Sequence, residues 1–106
     1  PVRLITTEVG VEPSDPYVRR FWVAALGPGA VAELLRLISA AGKGEEVRLP
    51  RHLPHLLRAG LVSIVEGTLA VASRVPRVPA EMRWRFPPDL AAEHAAWLAK
   101  VDSTAS

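Results

Sequence analysis

Four side chains able to carry charge or donate hydrogen bonds, Arg51, His52, His55 and Arg58, lie within eight positions in the run L-P-R-H-L-P-H-L-L-R-A-G-L-V, Leu49 to Val62. If the run is helical, Leu53, Leu56 and Leu57 hold it on a core and the four polar groups face outward. An α-helix fits the major groove of duplex DNA, where an arginine fork reads guanine edges and other basic groups hold phosphates. His52 and His55, three residues apart, would also suit one metal ion. Such a site needs a third ligand, and the chain offers only scattered carboxylates and His94. Histidines facing solvent or phosphate are the reading adopted, with no metal.

Other chemistry finds little footing. The chain has no cysteine, which rules out disulfides, thiolate metal sites and cysteine nucleophiles. No nucleophile stands beside a base in a known motif. Gly27-Pro28-Gly29 and Gly42-Lys43-Gly44 read as helix breaks and match no phosphate-binding loop. Glu45-Glu46 reads as a solvated loop. The expectation is a protein without enzymatic activity or cofactor.

The charge distribution points the same way. The net charge is only +2, yet residues 48–88 alone carry +5, with seven arginines against Glu66 and Glu81. A basic block of this kind favours a polyanionic partner, although a solvated arginine-rich face would look the same. Within the block Arg48, Arg74 and Arg77 are the candidates for phosphate contact.

The elements that must position these groups are read from periodicity and punctuation. At 106 residues, 49% hydrophobic and 23% charged, the chain has the length and composition of one domain. A strand or arm is expected over 1–12, with the strand near 2–9. Ser14-Asp15-Pro16 starts a helix to about Leu26, with Tyr17, Val18, Phe21, Trp22, Ala25 and Leu26 on one face. A second helix is expected over 30–41, with Val31, Leu34, Leu35, Ile38 and Ala41 inward and a weak Glu33–Arg36 pair outside. Val47-Arg48-Leu49 alternates like a short strand. The basic helix runs from Pro50 to Ala59, with Gly60 as its left-handed cap. Strands over 61–65 and 68–73 flank a Glu66-Gly67 turn.

Residues 74–88 read as an extended basic segment, with Met82, Trp84 and Phe86 alternating with Arg83 and Arg85 in a strand or an arm. Most aromatics should be core, but Trp84 and Phe86 could stack on bases or clasp a partner chain. A last helix is expected over 89–101, with a face of Leu90, His94, Trp97, Leu98 and Val101 and a frayed tail beyond.

Arg51-His52-Leu53, then Leu56, then Ala59-Gly60-Leu61-Val62, resembles the recognition-helix and wing-entry pattern of winged-helix repressors of the arsenic-sensor and antibiotic-resistance types. The likeness covers about residues 47–73. It departs from the family at Pro50 and Pro54, and only one short helix fits between Val47 and Leu61. If helix 30–41 precedes recognition, its connection is far longer than the usual turn. The resemblance implies an α+β, winged-helix-like domain of three to four helices with a small antiparallel sheet and wing hairpin, with 14–73 as its core. It implies DNA binding in transcription regulation, with Arg51, His52, His55 and Arg58 at the groove and Arg48, Arg74 and Arg77 on phosphates. Repressors of this kind commonly pair through terminal helices, so the Leu90, His94, Trp97, Leu98 and Val101 face is the expected homodimer interface. The same face could instead pack back on the first helix. The competing function is a non-enzymatic protein-interaction domain. No run is apolar enough to span a membrane and the start does not read as a signal peptide, so a cytoplasmic setting is expected.

Overall fold

In the computed structural model, which describes residues 3–6, 9–48 and 50–104 (102–104 as backbone alone), the chain opens with strand β1, Arg3–Ile5. It is shorter than the strand expected over 2–9, of which Val2, Thr7 and Glu8 lie outside the described residues. Val11 then forms a separate bridge with Val75, each amide donating to the other's carbonyl at 2.8 Å. Gly10, at φ +111°, permits that approach, because a Cβ there would come within 2.6 Å of the Val75 carbonyl oxygen.

Helix α1 covers 16–26. The Asp15 carboxylate accepts the Tyr17 N–H at 2.8 Å, and Pro16 occupies the first turn, where no donor is needed. Its segment Val18–Trp22 is wound as a π-helix before regular helix resumes over Val23–Leu26. Tyr17, Val18, Phe21, Trp22 and Ala25 are buried, as the apolar spacing requires. Gly27, at φ +94°, turns the chain, and Pro28 begins α2, Pro28–Lys43.

Helix α2 buries Ala30, Val31, Leu34, Leu37 and Ala40. The stripe expected from the sequence is therefore rotated toward Leu37, with Leu35, Ile38 and Ala41 at its half-buried edge. No strand forms at Val47-Arg48, and Leu49 lies outside the described residues. Helix α3 is only Leu53–Arg58, shorter than the 50–59 expected, because Pro54 is confined to a first turn. Leu56 is fully buried and Leu53 half-buried, while Leu57, expected inward, is exposed. Gly60, at φ +76°, closes the helix, and the Leu61 N–H reaches the Leu56 carbonyl at 3.0 Å.

The hairpin forms as its turn residues demand. Strands β2, Val62–Val65, and β3, Thr68–Ala72, pair antiparallel around Glu66 (φ 51°) and Gly67 (φ 76°), the twist of a type I′ turn. Strand β1 then joins the other edge of β3 in parallel, with Leu4 opposite Val71. The sheet order is β1-β3-β2, so the sheet is mixed rather than purely antiparallel.

Residues 80–85 correct a further expectation. They form a 3-10 helix, Ala80–Arg85, and neither a strand nor an arm. No sheet edge is paired with the segment, and Pro87 forces Phe86 into an extended conformation (ψ 132°) that ends it. With three residues per turn, Phe86 goes into the core while Trp84 is left 76% exposed. Helix α4, Pro88–Thr104, outruns the 89–101 expected and packs its rings on α1, with Trp97 4.3 Å from Tyr17 and His94 4.7 Å from Phe21. One core joins α1, α2, α3, the hairpin and Phe86, and the chain is an α+β domain.

Candidate nucleic-acid interface

The position of α3 depends on Glu33. Its carboxylate, projecting from α2, accepts the Arg51 N–H at 2.8 Å, the His52 N–H at 2.7 Å and a hydrogen bond from His52 Nδ1 at 2.7 Å. Burial works to raise the Glu33 carboxyl, but these donors outweigh it and hold it below its ordinary value. Glu33 thus turns toward the entry to α3 rather than pairing with Arg36. It satisfies two amides ahead of α3 that no helical carbonyl serves. His52, expected outward in the groove, is half-buried and braces the joint. Its ring also lies against Gly29, where an added Cβ would approach within 3.0 Å.

The remaining groups of the basic run face solvent. Arg48, Arg51, His55 and Arg58 are exposed, and among the described residues none of the three arginines joins an ion pair. Arg74 and Arg77 belong elsewhere. Arg74 donates to the Gly10 carbonyl at 3.0 Å and to Glu12 at 3.1 Å. The Arg77 guanidinium lies over the Trp97 ring, 5.9 Å from its centre. Arg74 is thus held against the segment before α1, and Arg77 against α4. The His52 and His55 ring centres are 6.2 Å apart, and among the described residues no three His, Asp or Glu side chains gather as a metal site.

Beside α3 the structure opens a groove of about 340 Å³ that the sequence reading did not contain. Leu26, Ala59 and Met82 line its apolar part, and His55, Arg58, Trp84 and Arg85 its polar rim. Arg85 donates to the Ala25 carbonyl at 3.1 Å, near the carbonyl-rich end of α1, and lays its guanidinium over Trp84, 5.2 Å from the ring centre. The exposed aromatic was visible in the sequence; its position beside α3 depends on the 3-10 turn, which the alternating pattern concealed.

The face expected to pair with a second copy is largely used within the chain. His94 is 2% exposed, and Leu90 and Trp97 pack on the core of α1. Leu98 and Val101 are half-buried. The Tyr17 hydroxyl takes the Val78 N–H at 2.9 Å and lies 2.6 Å from His94 Nε2. Burial, then the charges of Arg83 and Arg77, lowers the His94 pKa, while burial raises that of the Tyr17 hydroxyl. Arg20 and Glu93 form a two-pronged ion pair outside this cluster. Among the described residues no helix is long and apolar enough to cross a membrane.

No protein-family model matches the chain, and neither the curated proteins nor the solved structures contain a significant match. Any functional assignment therefore rests on the chemistry of the surfaces just described.

Proposed function

We propose that this chain is a non-catalytic nucleic-acid-binding domain of shortened winged-helix type, acting on DNA in regulation, with α3 as its contact helix and the β2–β3 hairpin as its wing. One observation carries the reading. Arg51, His55 and Arg58 are exposed around a single short helix, among the described residues neither arginine has a carboxylate partner, and the helix feeds directly into a hairpin. In this reading α2 takes the part of the helix preceding recognition, with Glu33 setting the angle between α2 and α3.

The size of α3 limits what it can do. Its six residues span ~9 Å, so base-edge contacts are few and phosphate contacts supply most of the affinity. Arg48, beside the helix start, extends that phosphate contact. Binding should accordingly be salt-dependent and only weakly sequence-selective for one copy. Two copies would supply the half-site spacing that one short helix cannot.

A titration of random duplex DNA measures this directly. Affinity should fall with salt at a logarithmic slope of roughly −0.9 for each phosphate neutralised, or about −2 to −3 for the α3 cations. Arg51→Ala with Arg58→Ala should remove most of the binding and leave the circular dichroism spectrum unchanged, since both side chains are exposed. Absence of any complex at micromolar protein and low salt would exclude the reading. Salt-insensitive capture of a protein partner through the same face would replace it with the interaction-domain alternative.

A further inference from the structure

The groove beside α3 has a feature that duplex binding does not use. Trp84 is 76% exposed, the largest exposure of any aromatic side chain among the described residues, yet it is held in place. Arg85 lies over the indole, and Arg85 is itself tied to the Ala25 carbonyl, so the ring is pinned to the end of α1. The 3-10 turn carrying it is anchored on either side, by the Arg83 side chain donating to the Val78 carbonyl at 2.9 Å and by buried Phe86. An aromatic plane fixed at a groove rim presents a stacking surface with little rotamer freedom left to lose.

The surroundings define what would stack there. Arg58 and His55 come from α3 and Arg85 from the 3-10 turn, against the single carboxylate of Glu81. The groove therefore favours an anion, and Leu26, Ala59 and Met82 add an apolar floor. A flat apolar body carrying a negative charge, in a cleft of about 340 Å³, matches a nucleobase joined to its phosphate. In a duplex the faces of the bases are stacked on one another, and only an unpaired base can offer its face to an indole.

We propose that the groove between α3 and the 3-10 turn binds an unpaired base of a single-stranded nucleic acid, stacked on Trp84, with the adjoining phosphate held by Arg58. The assignment deepens the nucleic-acid reading and rests on it. It makes the chain a binder of single strands or of junctions where strand and duplex meet, with α3 serving both sides.

Fluorescence anisotropy with a labelled oligothymidylate of about 12 nucleotides, beside a random duplex, tests the assignment. The single strand should bind and quench tryptophan emission, because Trp22 and Trp97 lie in or against the core and Trp84 does not. Trp84→Ala should weaken the single strand about tenfold or more and abolish the quenching, Trp84→Phe should retain part of both, and duplex affinity should stay the same. Unfolding curves for both variants should match the parent, since the side chain is on the surface. Equal single-strand affinity for the parent and Trp84→Ala would overturn the groove assignment, as would binding without quenching. If duplex binds and single strand does not, the groove assignment falls while the α3 reading stands; if neither binds, both fall.

Discussion

Tyr17, His94 and the Val78 amide form a buried hydrogen-bonded chain. The Val78 N–H donates to the Tyr17 oxygen, and the Tyr17 hydroxyl shares a second hydrogen bond with His94 Nε2. Burial, with the charges of Arg83 and Arg77 beside it, favours the neutral form of His94. Its folded pKa lies below the ordinary value of about 6.5, so between the two values the unfolded chain binds more protons. Stability then rises with pH and falls as the medium is acidified below about 6.5. Urea midpoints at about pH 7.5 and 5.5 should show this slope, and His94→Gln should flatten it while lowering stability at the higher pH. An unchanged slope in the variant would show that His94 is not its source. His52 illustrates the opposite fate of the same residue type. The sequence places it next to Arg51 as another outward group, but its Glu33 partner lies 19 residues upstream, beyond local patterning.

At the scale of elements, local chemistry dictates the hairpin more strongly than any other part of the chain. Both turn residues have positive φ, 51° at Glu66 and 76° at Gly67, and Glu66 is the only non-glycine residue in that region among those described. Left-handed backbone costs a residue with a Cβ roughly 1–2 kcal/mol, and asparagine tolerates it better than glutamate. Glu66→Asn should raise stability by about 0.5–1 kcal/mol, seen as a higher urea midpoint with an unchanged m-value. A lower midpoint would mean that Glu66 makes a contact worth more than the strain. The turn, the Gly60 cap and the Pro16 helix start are legible because each is decided within a few residues, whereas Pro28, expected in a helix break, begins α2 two residues ahead of the expected start. The 3-10 helix is not legible. Met82, Trp84 and Phe86 alternate with arginines just as a half-buried strand does, and only the lack of a pairing edge and the proline at 87 decide otherwise. Nor does sequence reveal that β1 pairs in parallel with β3, since Arg3 and Ile5 lie 67 positions from their partners Ala70 and Ala72. The candidate site divides along the same line. Arg51, His55 and Arg58 follow from helical spacing, while the approach of Trp84 and Arg85 to α3 is long-range. The contacts of Arg74 with Gly10 and of Arg77 with Trp97 are long-range too.

For the molecule as a whole, the two ends of the chain meet at one aromatic cluster. α1 contributes Tyr17 and Phe21, the 86–87 corner contributes Phe86, and α4 contributes His94 and Trp97. The core proper continues from α1 through Leu34, Leu56, Val62 and Val71, residues that hold α2, α3 and the hairpin. α4 is thus an outer layer fastened by Leu90, His94 and Trp97 and by the exposed Arg20–Glu93 pair, and surface ion pairs of that kind add little. Such a layer opens before the rest. Trp97→Ala removes the largest ring from the fastening and should speed amide hydrogen exchange throughout α4, while α2 and β3 keep their protection. Loss of protection in all of them together would show instead that α4 belongs to the same cooperative unit. The outcome also bears on self-association. While α4 is docked, its His94 and Trp97 face is occupied by α1 and cannot pair two copies. Once released, that face and the uncovered Tyr17 and Phe21 become mutually complementary, which is the geometry of a helix exchange between identical chains. Sedimentation of Trp97→Ala against the parent separates the cases. A concentration-dependent dimer of the parent that persists in the variant would locate pairing away from this face, and a dimer in the variant alone would show that docking of α4 is what keeps the parent apart.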